Sequence, residues 1–386
     1  MSDKNNLVFA GGSDSMLDVR LGPCDHVYAF RGAWWDLIGE RQYYDVVIHT
    51  IAVLNYSSRT ISVNSVTVEA IGGDHLIQHI VIDKKEIDRL TKPVKDKIKL
   101  ELRQIVDLIL WVDQVVSPEL ILSSTSTINP NAVLVIPNLY MMFHSLPDKL
   151  KVTAYGRDER GQSVKVSASL RVTEYRSKMK YTLPVEGRWF MKGMPITGVL
   201  NHHRFGCANE FGVDLLRLGS NGKVFKGDGK LASDYFSLGA KVLAAADGVV
   251  VRVNNSSIQE WLRFNPAEGE TVDAFQKRQM RETRKGLQGD ILQWVAGNYI
   301  VIKHSGNEYS SYLHLRENSV RVKEGETIKR GQHIADVGNT GDSYGAHLHF
   351  QVNDGPDILR GRSLPFTFEN IEIELMEAGQ FVQTAK

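Results

Sequence analysis

Cysteine is scarce: the 386-residue chain holds two, Cys24 and Cys207, far apart. That spacing excludes a disulfide-built scaffold and a zinc centre made of thiolates. An excess of one charge is also missing, with 46 Lys and Arg against 45 Asp and Glu, a formal net charge of +1. No global field draws the chain to nucleic acid, so no nucleic-acid partner is expected and any charged ligand must be met locally. Apolar runs are short. The stretch from Ile105 to Val116 is broken by Asp107 and Asp113 and falls below the roughly 20 residues that span a bilayer, so no transmembrane segment is expected. Met1 to Gly12 lacks the apolar core of a secretory leader. A His-Glu-x-x-His helix is absent as well, which removes the glutamate-base mechanism of the peptidases built on it.

The chain is long enough for two or three domains, and its 42% hydrophobic content can bury a sizeable core. From Tyr44 to Tyr175 the patterning is that of strands. Val46 to Val53 is rich in β-branched residues and Ile61 to Val68 alternates, with Ser57-Ser58-Arg59 read as a hairpin between them. Ala132–Ile136, Lys151–Tyr155 and Ser163–Ser167 continue the pattern, the last two joined by a turn at Arg157–Gly161. Short strands at this spacing predict a β-sandwich-like domain. An apolar stripe at Val94, Ile98, Leu102, Ile105 and Ile109, opened by Pro93, predicts one amphipathic helix over 94–116 inserted among the strands.

Breakers between 176 and 200 place a domain boundary near 180, giving an accessory domain 1–180 and a second domain 181–386. Trp189 and Phe190, just past it, read as packing residues. The second domain is expected to be an antiparallel β-sheet. Phe211–Leu216 reads as one strand, Val242–Val253 as two strands joined by an Asp-Gly turn, and 254–296 as a helical insertion.

The chemistry gathers near the end, in Gly345-Ala346-His347-Leu348-His349-Phe350. On a strand, His347 and His349 share one face while Leu348 and Phe350 enter a core. A hydrolytic zinc site needs three protein ligands and an open position. His349 supplies one, and Asp214 follows Phe211-Gly212-Val213 as the acidic partner. A third lies upstream at His202 or His203. His347 and His314, in Tyr312-Leu313-His314-Leu315, titrate near neutrality and suit proton transfer or oxyanion stabilisation. His304 and His333 read as surface or turn residues, and Cys207, between the proposed ligands, could block the metal as a thiolate.

In order and spacing, Gly297-Asn298-Tyr299-Ile300, Tyr312-Leu313-His314-Leu315, Gly338-Asn339-Thr340-Gly341-Asp342-Ser343 and Gly345 to Phe350 resemble the lysostaphin-type (LytM-like) zinc metallopeptidases over about residues 184–370. The resemblance implies one zinc ion per chain, with Asp214 and His349 as ligands and His314 and His347 as catalytic histidines. It departs at one place. The family pattern His-x-Gly-x-Asp reads Glu210-Phe211-Gly212-Val213-Asp214 here, so the first ligand is expected at His203 by similarity to members with an upstream Asn-His, with His202 and Glu210 as alternates. The resemblance implies an endopeptidase acting on peptidoglycan stem peptides or cross-bridges, in the cell envelope or secreted. Two further readings are a degenerate wall-binding or hydrolase-activating module and a peptidase acting on protein. The sequence leaves the oligomeric state open.

Overall fold

The computed structural model describes residues 17–23, 25–36, 39–100, 102–192, 202–229, 231–258, 265–376 and 379–384. Cys24, the stretch Met1 to Gly12, and Asn201 lie outside them, as does part of the 254–296 insertion. Contacts divide the chain into two units, one of residues 1–27 and 46–173, the other of 28–45 and 174–386.

The architecture is mainly β, as the alternating patterns predict. In the first unit, Ile61–Gly72 pairs with Lys149–Asp158, and Lys149–Asp158 with Ser163–Glu174, all antiparallel. The expected turn before Ser163 is present, and the Asp158 carboxylate closes it by accepting from the backbone N–H of Arg160 and Gln162 at 3.0 and 2.8 Å. The hairpin expected at Ser57-Ser58-Arg59 is not. The strand Gly39–Asn55 pairs with Leu17–Gly22 and His26–Asp36, whereas Ile61–Gly72 pairs with His75–Asp83 and Lys149–Asp158. Asn55 turns the chain away from its own strand. Its oxygen accepts from Ser57 N–H at 3.0 Å, and its amide donates to the Arg59 and Ile128 carbonyls at 2.8 and 2.9 Å. Such an Asx turn mimics a backbone turn without requiring the flanking strands to pair.

The single helix expected over 94–116 is three: Lys84–Lys99, Arg103–Leu110 and Val112–Val115. The first starts earlier because Asp83 caps it, its carboxylate accepting from Glu86 N–H at 2.8 Å, and Pro93 therefore sits inside the helix. The break at Trp111, in the left-handed region at φ 52°, has a packing cause. Leu110 and Val112 would lie about 200° apart on one continuous helix. With the break, both enter one core with Val106, Val116, Ala52, Leu54, Val133 and Val135.

The second unit contains a nine-stranded sheet whose central members, in spatial order, are Asn298–Lys303, Tyr309–Leu315, Leu348–Asn353, Val213–Leu216 and Arg188–Lys192. One face buries Leu215, Tyr312, Leu348, Phe350 and Val352 together with Trp189 and Tyr181. The two strands expected over Val242–Val253 do not pair with each other. Lys241–Leu243 joins His333–Asp336 in a small second sheet, and Gly248–Asn254 joins Asn298–Lys303 in the large one. The residues between them carry the chain from sheet to sheet, so the Asp-Gly step links two layers and closes no hairpin.

The insertion is helical as expected, over Val272–Gln288 and Ile291–Ala296, capped by Thr271 and Asp290. Arg278 clamps Glu270 with two hydrogen bonds of 2.9 and 2.7 Å, which lowers the Glu270 pKa to about 2. The folded pKa is depressed, so the pair's contribution is complete above the ordinary value of 4.5 and fades as pH falls toward about 2. A Glu270→Gln variant should therefore melt below the parent at pH 6, and the gap should narrow steadily on acidification. A gap independent of pH would assign it to packing instead.

Candidate metal centre

Asp214 and His349 are cross-strand partners in register, Val213–Leu216 against Leu348–Asn353. Because Leu215 and Leu348 turn into the core, Asp214 and His349 turn to the opposite face, where direct cross-strand neighbours stand about 5 Å apart at Cβ. His347, immediately before the strand, joins them, and a short 3₁₀ helix, His202–Phe205, delivers two more imidazoles.

Three of these imidazoles converge on one carboxylate oxygen. Asp214 Oδ1 lies 3.0 Å from His349 Nδ1, 3.4 Å from His203 Nε2 and 3.5 Å from His347 Nε2. His202 Nε2 stands 3.8 Å from Oδ2, and His202, His203 and Asp214 form a group able to hold a metal ion. His203, Asp214 and His349 are buried, while the His202 side chain is 58% exposed. Gly212 makes room for this closeness. A Cβ there would press on the His349 ring and the Asn209 carbonyl, at 2.9 and 3.0 Å.

The tautomers follow from the second nitrogen of each ring. His314 Nδ1 lies 2.9 Å from the Thr340 carbonyl and His347 Nδ1 2.7 Å from the Gly345 carbonyl. A carbonyl only accepts, so in both rings Nδ1 carries the proton and the neutral form presents a bare Nε2. His349 is reversed: its Nε2 faces the Gln351 amide oxygen at 2.9 Å, which leaves Nδ1 toward Asp214. The His314 and His347 rings lie 4.8 Å apart, centroid to centroid, with His314 6.1 Å from His349.

Electrostatics agree with a cation site. Burial pushes the His203 imidazole down to about 3 despite the attraction of Asp214, so it is a neutral donor at neutral pH. Burial also holds His314 well below its ordinary value, reinforced by His347 and His349. For Asp214 burial alone would raise the carboxyl, but the surrounding imidazoles, His203 and then His347, hold it well below the usual range. A bare imidazole nitrogen and a carboxylate oxygen 3.0 Å apart are two acceptors in contact, and they need a proton or a metal ion between them. A neutral imidazole pair with one carboxylate suits zinc.

Glu210 is engaged elsewhere. It takes Arg204 Nη1 at 2.8 Å, and the other side of the same guanidinium meets Asp45, while its plane lies 4.8 Å from the Phe211 ring. Arg204 is fully buried, so the glutamate at the pattern's histidine position serves an ion triad built on a residue of the His202–Phe205 helix itself. The Cys207 thiol is buried and free. His304, expected at the surface, is buried with both nitrogens in use, against the Asp247 carbonyl at 2.7 Å and Ser310 Oγ at 2.8 Å. His333 is paired with Asp336 at 2.8 Å.

The loop behind His314 explains two glycines. Thr340 accepts from His314 through its carbonyl, and its hydroxyl accepts from Asn298 N–H and donates to the Leu315 carbonyl, each at 2.8 Å. Gly297 and Gly341, at φ 65° and 77°, sit against this knot, and a Cβ on either would overlap the opposite backbone. Gly341→Ala should cost about 3 kcal/mol, combining backbone strain with overpacking. A urea midpoint equal to the parent's would refute the tight approach.

Residues 233–359 match the family model described as peptidase family M23. The chain is 43% identical over 70 residues to the lipoprotein NlpD of Yersinia enterocolitica, covering 18% of this chain and 69% of that protein. The chain belongs to peptidase family M23. This M23 chain is also 38% identical over 95 residues to the peptidoglycan DD-endopeptidase ShyA of Vibrio cholerae, which is 24% of the chain and 20% of ShyA. The match thus spans about a fifth of that relative's length. Among solved structures, the catalytic domain of lysostaphin from Staphylococcus simulans aligns at 18% identity, covering 50% of this chain and 84% of that one, with a TM-score of 0.22. Both family and mainly β fold accord with the sequence resemblance. Among the described residues, no helix is long and apolar enough to cross a membrane.

Proposed function

We propose that this M23 chain is a zinc-dependent endopeptidase of peptidoglycan stem peptides or cross-bridges, with His203, Asp214 and His349 holding one zinc ion. The observation that carries the reading is the convergence of three imidazole nitrogens on Asp214 Oδ1 within 3.5 Å. When bound, zinc supplies a Lewis acid that polarises the scissile carbonyl and lowers the pKa of a water. His314, kept neutral by burial and tied through Nδ1 to Thr340, offers Nε2 to take the proton of the attacking water. His347, 16% exposed, has its Nε2 3.5 Å from the Asp214 carboxylate. In its imidazolium form it would hydrogen-bond from Nε2 to the developing oxyanion, and the proton taken up by His314 would pass to the departing amine. His202, whose side chain is the most exposed of the cluster, would be a contact for substrate. The substrate and an envelope or secreted location are supported by the similarity to the peptidoglycan endopeptidase ShyA and to the lipoprotein NlpD.

A second reading is supported by the NlpD relatives themselves. Salmonella typhimurium NlpD, a murein hydrolase activator, is 41% identical over 70 residues. Purified sacculi incubated with the zinc-loaded chain separate the two. Newly freed amino groups, abolished by a zinc chelator and restored by zinc, are expected. Intact cross-links together with faster cleavage by an added wall hydrolase would replace the peptidase by the activator.

A further inference from the structure

We infer that Gln351, backed by Asn353, is a positioning residue that fixes which nitrogen of His349 faces Asp214; this rests on the zinc reading above and deepens it. The three side chains alternate along the strand Leu348–Asn353, so His349, Gln351 and Asn353 share one face, and all are buried.

The amide orientations follow by elimination. Asn353 Nδ2 lies 2.7 Å from the Ala208 carbonyl and 2.9 Å from the Gly361 carbonyl. Carbonyls only accept, so that atom is nitrogen and the other end of Asn353 is oxygen. Gln351 Nε2 lies 2.7 Å from that oxygen and 3.2 Å from each of the Ala208 and Ile358 carbonyls. Its nitrogen is fixed in turn, and Oε1 is left to face His349 Nε2 at 2.9 Å. An amide oxygen has no proton to give, so His349 carries its own on Nε2 and directs the Nδ1 lone pair at the ion position. Three backbone carbonyls thereby set a tautomer through two side chains.

The same chain ties the ligands together. Gln351 and Asn353 both donate to the carbonyl of Ala208, which lies between His203 and Asp214 in sequence. Outer partners of ligand histidines commonly contribute 10–100-fold to metal affinity. Glutamate is no substitute here, because an oxygen in place of Nε2 would face three acceptors.

The test is nitrogen NMR on the full chain labelled with [15N]histidine, with the His349 signals assigned by their loss in His349→Gln. At pH 8 the proton is expected on Nε2, with the Nδ1 resonance moving when zinc is added. Gln351→Leu should lose that tautomer preference and bind zinc about 10–100-fold more weakly in a chelator competition. A proton on Nδ1 in the parent protein overturns the inference, and this arm stands even where the leucine variant fails to fold. So does a folded Gln351→Leu variant with parental tautomer and zinc affinity. Nε2–H in a parent that takes no zinc supports the positioning and removes the zinc reading alone.

Discussion

Asp214→Asn is expected to abolish stoichiometric zinc and to slow cleavage of cross-linked peptidoglycan about a thousandfold or more, a loss of about 4 kcal/mol in transition-state stabilisation. Asparagine keeps the shape of the side chain and so preserves the pairing of Val213–Leu216 with its neighbours. What it removes is the anion on which three imidazole nitrogens converge, one of them only 3.0 Å away. The amide can hydrogen-bond to an imidazole, but it does not offset the charge of a divalent ion. Elemental analysis and chromatography of released muropeptides check both halves of the prediction. A variant retaining parental zinc and rate would exclude Asp214 from the centre.

Arg204→Met should destabilise the protein by about 3–5 kcal/mol, because it removes a fully buried guanidinium from between the Asp45 and Glu210 carboxylates. The cost is electrostatic, so removing the two carboxylate charges as well should return most of it. Asp45→Asn and Glu210→Gln added to Arg204→Met are expected to be less destabilising together than Arg204→Met alone, as read by urea unfolding at pH 7. An Arg204→Met variant within about 1 kcal/mol of the parent would mean that the triad contributes little. The same triad occupies the position where the sequence departs from the family pattern: Glu210 pairs with Arg204, one residue beyond His203.

The strands were legible because β-branched residues and alternation report a half-buried pleat directly. Their partners were not. Asn55 redirects the chain by hydrogen bonds from its own side chain, which no periodicity records, and Ser57-Ser58-Arg59 looks like a hairpin turn for that reason. Trp111 likewise breaks a helix whose apolar spacing looks continuous, since the break serves a core assembled from distant strands. At the site, the residue types and their order pointed to Asp214, His314, His347 and His349, and the structure brings all four together with His202 and His203. Gln351 and Asn353 were missed although they continue the alternation that made His347 and His349 conspicuous. A polar residue at every second position of a fully buried strand was the available signal. His304 was misplaced because its two partners, Asp247 and Ser310, meet it only in the folded sheet.

The most direct measurement is the zinc content of the purified full chain beside its His202→Ala and His203→Ala variants, each shown to be folded. About one zinc per chain is expected in the parent and in His202→Ala, with almost none in His203→Ala. A folded parent that takes up no zinc on incubation with the ion would contradict the account.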